Sequence, residues 1–178
     1  MRKLIAAGCF AALAAASNAT IWGFSVPLMN GAQGVPPTGS AAYGTGSFNL
    51  DDQTWIMSGS VTITGLSVAT VTGMHIHNAP VGANGPVIFD ILANVAATNQ
   101  SGNVSNWFFT GMLQDDGNLT RLQKLQVMVA GDSYINAHTP TFPGGEIRGQ
   151  IDCVVPEPAT VIPVFMGLGF AYLLKRRR

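Results

Sequence analysis

The sequence lacks most of the residue patterns that identify enzymes. Only 10% of its 178 residues are charged, and there are two cysteines, Cys9 and Cys153. The chain contains no glycine-rich signature of dinucleotide or phosphate binding and no Gly-x-Ser-x-Gly nucleophile elbow. These absences argue against nucleotide-dependent enzymes and serine hydrolases, and they favour a binding or structural role.

Positive charge is scarce in the body of the chain. Residues 20–155 contain three basic and eight acidic residues, a net charge of −5, although the whole chain is formally neutral. The basic residues are Arg121, Lys124 and Arg148, which are scattered and form no patch in the sequence. A phosphate backbone is bound by clustered Lys and Arg, so we expect no nucleic-acid partner.

The N-terminus predicts a secretory signal peptide over residues 1–19. Arg2 and Lys3 precede a short apolar run at residues 4–16, and Ser17-Asn18-Ala19 offers a small-x-small site for signal peptidase. The basic start, the short apolar core and the small cleavage residues follow one another in the order of such signals. Export would place the body in a compartment that permits disulfides.

The two cysteines leave alternatives open. A lipoprotein signal at Cys9 is disfavoured because only about five apolar residues precede it, fewer than the roughly 7–15 of a usual apolar core. Once the signal is removed, Cys153 is the lone cysteine and has no internal partner. It is either buried and inert or paired with another chain.

The C-terminus resembles a PEP-CTERM sorting signal, predicted over residues 156–178. Pro156, Glu157 and Pro158 are followed by an apolar run at 159–174 and a basic tail at 175–178. The run predicts a transmembrane helix that anchors the chain in the inner membrane, with the tail in the cytoplasm. The resemblance implies recognition and cleavage by an exosortase, in Gram-negative bacteria that make exopolysaccharide. An uncut C-terminal membrane anchor is the alternative.

The body, residues 20–155, predicts an all-β domain with one short helix. Short alternating segments recur between Gly, Pro and Asn turns, which is typical of a sandwich or barrel. Pro27 favours an edge position for the first strand, whereas the strand at 105–113 is expected to be central. A capping box at Thr120 and Gln123, helical spacing of apolar residues and Gly131 predict a helix at 120–130. The predicted strands are 21–28, 42–50, 55–66, 73–77, 86–92, 105–113, 134–139 and 146–154.

Several stretches together resemble the CHRD domain, a module repeated in chordin and found singly in bacterial exported proteins. They are residues 28–37, 73–77 with 82–87, 119–131 leading into 134–139, and 144–151. In the first stretch, Gly34 stands where the family usually carries Glu. The resemblance implies an immunoglobulin-like β-sandwich or barrel, distantly like copper-zinc superoxide dismutase, and it implies no established activity.

The three histidines form a candidate metal site. His75 and His77 point to the same face of a strand, with Cα atoms about 6.6 Å apart, and His138 lies on a later strand. Three imidazoles suit copper or zinc. The alternative is a polar network in which backbone carbonyls and hydroxyls hold the histidines and fix the strand-loop geometry. A dismutase is disfavoured, because the chain has no fourth histidine to bridge two metals.

Three further polar residues are candidates for a ligand site or a structural network. Asn136 precedes His138 by two positions, and Glu146 and Arg148 share one face of the last predicted strand. An ordinary cross-strand ion pair is the simplest prediction for the two charged residues.

The sequence therefore predicts a non-enzymatic protein of the cell surface. We expect a structural, adhesive or ligand-binding component of the envelope or of the exopolysaccharide matrix, processed by signal peptidase and exosortase. The alternative is a copper- or zinc-binding or redox protein that uses the three histidines.

Overall fold

A computed structural model describes residues 19–154 of the chain. Residues 1–18 of the predicted signal peptide and the whole predicted sorting signal, including Pro156, Glu157 and Pro158, lie outside the described residues. Ten strands and one α-helix make up the domain. They are β1 (Ile21–Asn30), β2 (Tyr43–Asp51), β3 (Ile56–Thr64), β4 (Gly73–Asn78), β5 (Val87–Asp90), β6 (Val95–Ser101), β7 (Val104–Met112), α1 (Arg121–Val129), β8 (Ser133–His138), β9 (Ile147–Gln150) and β10 (Asp152–Val154).

The ten strands form one antiparallel sheet that curls into a half-barrel. Its order is β5-β4-β8-β9-β1-β2-β3-β7-β6, and β10 pairs with β1 beside β9. Short 3-10 turns at Gly31–Gln33 and Leu92–Asn94 follow β1 and β5. The prediction of an all-β domain with one short helix is confirmed.

Alternation of side chains places the core on the concave face of the sheet. In β3, Met57, Val61 and Ile63 are fully buried, whereas the residues between them face solvent or are half-buried. In β4 and β8, Met74, Ile76, Ile135 and Ala137 are fully buried on the core side. The opposite face of β4 and β8 is therefore free to carry polar residues, and the three histidines lie there.

The edge position predicted for the first strand is wrong. β1 pairs with β2 on one side and with β9 and β10 on the other. Pro27 is tolerated because the β1–β2 register shifts between Val26 and Met29, so that its missing N–H falls at a bulge.

One strand was not predicted, and one predicted strand is divided. β6 carries almost entirely exposed residues at an edge of the sheet, so it shows no alternation of apolar and polar positions. The predicted last strand is interrupted at Ile151, whose N–H bonds to the carbonyl of Ser133. β7 pairs with both β3 and β6 and is an interior strand, but it lies next to the edge strand β6 and not at the centre of the sheet, where the sequence predicted it.

The predicted helix is confirmed, with its capping box. The Thr120 hydroxyl accepts from the N–H of Gln123, and the Gln123 side chain accepts from the N–H of Thr120. Leu125 and Met128 are buried in the core cluster. Within residues 19–154 no helix reaches the length and apolarity needed to cross a membrane.

Candidate metal centre

The pairing of β4 with β8 brings the three histidines together. His138 lies opposite Gly73, and Asn136 lies opposite His75. His77 lies opposite Tyr134. All of these positions share the side of the sheet that faces away from the core, because alternate residues point the same way. The register therefore gathers on one patch three histidines that are up to 63 positions apart in the sequence.

The three imidazoles converge on one point. Each offers one ring nitrogen, and these nitrogens lie within 4.8 Å of one another. Each ring also has one buried nitrogen without a hydrogen-bond partner: Nδ1 of His75, Nε2 of His77 and Nε2 of His138. We assign these three nitrogens as the donor set of a candidate metal centre, hereafter the histidine triad.

Two loops orient the rings of His77 and His138. Nδ1 of His77 lies 3.0 Å from the carbonyl oxygen of Gly85, and Nδ1 of His138 lies 3.0 Å from that of Pro143. A carbonyl only accepts, so each Nδ1 carries the proton and donates it. In this tautomer Nε2 carries no proton and keeps a free lone pair, which a metal ion requires.

His75 has its own partner outside the triad. Its Nε2 lies 3.8 Å from a carboxylate oxygen of Asp90, on the neighbouring strand β5. The negative charge favours a proton on Nε2 and leaves Nδ1 free for the triad. In each of the three rings, one nitrogen thus has a free lone pair directed at the other histidines. The second nitrogen of each ring faces an oxygen acceptor.

Aromatic stacking fixes the most buried member of the triad. The Tyr134 ring stacks on His77 with centroids 4.9 Å apart and planes 6° from parallel. On the tyrosine ring lies the Arg148 guanidinium, 3.5 Å from the centroid. His77 is 9% exposed, so this stack and the Gly85 bond leave its ring little freedom.

The surroundings of His75 and His77 favour the neutral form of both rings. Burial is the largest cause of the lowered pKa of His75, and Asp90 opposes it. Burial also lowers the pKa of His77 most strongly, against the opposing bond to Gly85. Because metal ions bind the neutral imidazole, these shifts favour the metal-binding form of His75 and His77.

Acid should destabilise the metal-free protein through the same two groups. Unfolded histidines titrate near 6.5, and the folded pKa of His75 and His77 is lower, so the unfolded state binds more protons. The free energy of unfolding should therefore be highest above pH 6.5. It should decrease as the pH falls below 6.5, and the decrease should end once the pH is below the folded pKa values of both histidines. Urea unfolding between pH 7.5 and 5.5 measures this slope.

The matched control for the pH series is the double substitution His75→Asn and His77→Asn. It removes both titrating groups and should flatten the slope in this range, where carboxylates contribute little. A free energy of unfolding that stays constant or rises from pH 7.5 to 5.5 in the parent protein would show that the two folded pKa values are not lowered.

Gly73 leaves the space in which two of the rings lie. A Cβ at this position would lie 2.9 Å from Cε1 of His75 and 3.4 Å from Cδ2 of His138. The side-chain rings can move, so Gly73→Ala should lower the free energy of unfolding by less than about 1 kcal/mol. The displaced rings should weaken copper or zinc affinity about tenfold. Isothermal titration of the metal measures the affinity.

Gly23→Ala is the matched control for Gly73. Gly23 also lies within a strand, and a Cβ there meets its nearest atom at an ordinary 3.5 Å. It lies in β1, outside the triad, and should leave metal affinity unchanged. Equal affinities for the two variants would contradict a role of Gly73 in shaping the triad.

The predicted ion pair between Glu146 and Arg148 is not formed among residues 19–154. The Glu146 carboxylate instead accepts from the hydroxyls of Ser40, at 2.6 Å, and Thr139, at 2.5 Å. The side chains of Glu146 and Arg148 form hydrogen bonds with different loops and do not contact each other as an ion pair.

The other side chains of this group bond to the loops over the sheet. Arg148 donates to the carbonyl oxygens of Ala83, at 2.7 Å, and Pro80, at 2.9 Å. Asn136 donates to the carbonyl of Gly144 at 3.2 Å. Arg148 and Asn136 therefore hold in place the two loops that supply the carbonyl partners of His77 and His138.

Sequence reasoning found the three histidines but missed the residues that orient them. Tyr134, Asp90 and Gly73 became visible only through strand register, and the carbonyls of Gly85 and Pro143 only through loop conformation. The expected carbonyl network is present, but it occupies one nitrogen each of His77 and His138 and leaves the other free. The network and the metal hypothesis are thus compatible.

Cys153 does not contribute to the triad. It is a free, half-buried thiol in β10, and burial raises its pKa. A raised pKa keeps the thiol protonated at neutral pH, which lowers its reactivity.

Comparison with known proteins identifies the domain. The family model of the CHRD domain matches residues 24–151, inside the predicted 20–155 body and around the whole histidine triad. Neither the curated proteins nor the solved structures include a significant match to the chain. The matched segment is more than two thirds of the sequence and runs from within β1 to the residue after β9, and the chain therefore belongs to the CHRD domain family.

Proposed function

We propose that this CHRD-domain protein binds one copper or zinc ion through His75, His77 and His138. The observation that supports the proposal is the set of three buried ring nitrogens, one from each histidine, that face one another without hydrogen-bond partners. Buried polar atoms are rarely left unpaired, because each costs on the order of 1–3 kcal/mol. A metal ion would satisfy all three at once.

The spacing of the nitrogens fits such an ion after small ring movements. Copper or zinc binds imidazole nitrogen at about 2.0–2.1 Å, which places tetrahedrally arranged nitrogens about 3.4 Å apart. The observed upper limit of 4.8 Å is within reach of rotations about the side-chain bonds. Three protein ligands leave a coordination position free for water or another small ligand.

Metal titration of the purified protein tests this function. The protein should carry no polyhistidine tag, because its own three histidines are the only ones in the sequence. We expect uptake of one equivalent of copper or zinc, with a rise in the melting temperature on binding. Uptake that is not stoichiometric, or that is unchanged in His138→Ala, would contradict the proposal.

We propose that the protein carries out this role outside the cytoplasm. The signal peptide predicted at residues 1–19 and the PEP-CTERM signal predicted at 156–178 support export, transient anchoring in the inner membrane and exosortase processing. The site would then serve a non-enzymatic component of the envelope or exopolysaccharide matrix. The mass of the mature protein separates a fragment near residues 20–155 from an uncut chain.

A further inference from the structure

A second candidate site lies beside the histidine triad. Two loops, residues 34–39 and 141–145, enclose a cavity of about 390 Å³. This volume falls in the range of roughly 300–1,000 Å³ that is usual for small-molecule sites. The apolar part of the wall is formed by Pro36, Pro37, Phe142 and Pro143, and the polar part includes Asn84, Asn136 and Arg148.

Arg148 is a buried cation that lacks a counter-ion. The residue is 3% exposed. Its side-chain hydrogen bonds go to two backbone carbonyls and to the Gln150 amide oxygen, all of them neutral groups. Within residues 19–154 no carboxylate forms an ion pair with it, because Glu146 is held by Ser40 and Thr139. Buried charges are normally paired, since an isolated one is costly to desolvate.

The guanidinium retains donors for a ligand. Its three hydrogen bonds use three of its about five N–H groups. The remaining donors are the Nε–H and one N–H of Nη1, which lie on different edges of the guanidinium, so a carboxylate would accept from one of them in a charge-assisted hydrogen bond. The Tyr134 ring beneath the guanidinium limits its movement, and Arg148 lines the cavity.

We propose that this cavity binds a small carboxylate with an apolar body. The carboxylate would pair with Arg148, and the apolar body would pack against Pro36, Phe142 and Pro143. The side-chain amide of Asn84, which bonds to the Val35 carbonyl, stabilises the loop on the other side. This site is distinct from the histidine triad and needs no metal.

Titration with benzoate tests the proposal, with benzamide as its neutral isostere. The purified protein is kept metal-free with a chelator, so the result does not depend on the metal function. Amide ¹H–¹⁵N spectra should show saturable shifts for residues 141–145 with benzoate at millimolar concentrations. Benzamide should bind about tenfold or more weakly, since it lacks the charge that pairs with Arg148.

Substitutions at two positions test whether benzoate binds in this cavity. Arg148→Gln should abolish the preference for benzoate, but it also removes two bonds to the loop at residues 79–86. Gly144 lines the cavity, and a Cβ there meets nothing within 4 Å, so Gly144→Leu fills open space at the wall and should weaken benzoate binding about tenfold. Gly117 is equally open and lies outside the cavity, which makes Gly117→Leu the matched control.

Three results would overturn the proposal. The first is no saturable binding of benzoate, and the second is equal affinity for benzoate and benzamide. The third is benzoate affinity that remains the same in Gly144→Leu and in Gly117→Leu.

Discussion

Replacement of His77 by alanine should strongly weaken copper or zinc binding. His77 is the most constrained member of the triad, because Tyr134 stacks on its ring and Gly85 accepts from its Nδ1. Removal of one of three imidazoles should weaken copper or zinc affinity by about 10²–10³-fold, more than the loss of an outer hydrogen-bond partner. A hundredfold loss corresponds to about 2.7 kcal/mol of binding free energy. Competition with a chelator of known affinity measures it.

Asp90→Asn provides a graded comparison for His77→Ala. Its carboxylate lies 3.8 Å from Nε2 of His75 and faces it from outside the triad. Loss of the carboxylate charge should weaken copper or zinc affinity by about tenfold or less, because the three donor nitrogens remain. If His77→Ala bound metal as tightly as Asp90→Asn, or if both matched the parent protein, the triad would not be the binding site.

Replacement of Trp107 by alanine should produce the largest loss of stability. Trp107 lies in β7, is 0% exposed and belongs to the group of largest fully buried side chains. Its removal should lower the free energy of unfolding by about 3–5 kcal/mol, through lost burial and the cavity that remains. Denaturant unfolding followed by far-ultraviolet circular dichroism measures this loss independently of tryptophan fluorescence.

Trp107→Phe separates packing from hydrogen bonding at the same position. The indole Nε1 of Trp107 is buried and has no hydrogen-bond partner. Phenylalanine keeps much of the aromatic volume and removes this unpaired donor, so the cost should be only about 1–2 kcal/mol. A loss below 1 kcal/mol for Trp107→Ala would show that the curled sheet does not depend on this packing.

Much of the fold was predictable because most strands carry their own signal. The alternation in β3, with Met57, Val61 and Ile63 on one side, identifies the strand and its buried face without any tertiary information. The capping box at Thr120 fixes the start of α1 in the same local way. β6 escaped prediction because an exposed edge strand has no buried face to impose alternation.

The candidate site was only partly predictable, because it depends on contacts between distant segments. The spacing of His75 and His77 places both on one strand face, but the pairing of Gly73 with His138 follows from the register of β4 and β8. Charges misled the prediction at Glu146 and Arg148. Glu146 accepts from the hydroxyl of Ser40, and Arg148 donates to the carbonyl of Ala83, both in loops that are distant in the sequence. These hydrogen bonds take the place of the predicted ion pair.

X-ray absorption spectroscopy of the metal-loaded protein tests the central claim most directly. With one equivalent of copper or zinc bound, we predict a first shell containing three imidazole nitrogens at about 2.0–2.1 Å. This shell should be reduced to two imidazoles in His138→Ala. A parent spectrum that contains one imidazole or none would show that the ion binds elsewhere and that the histidine triad is not a metal centre.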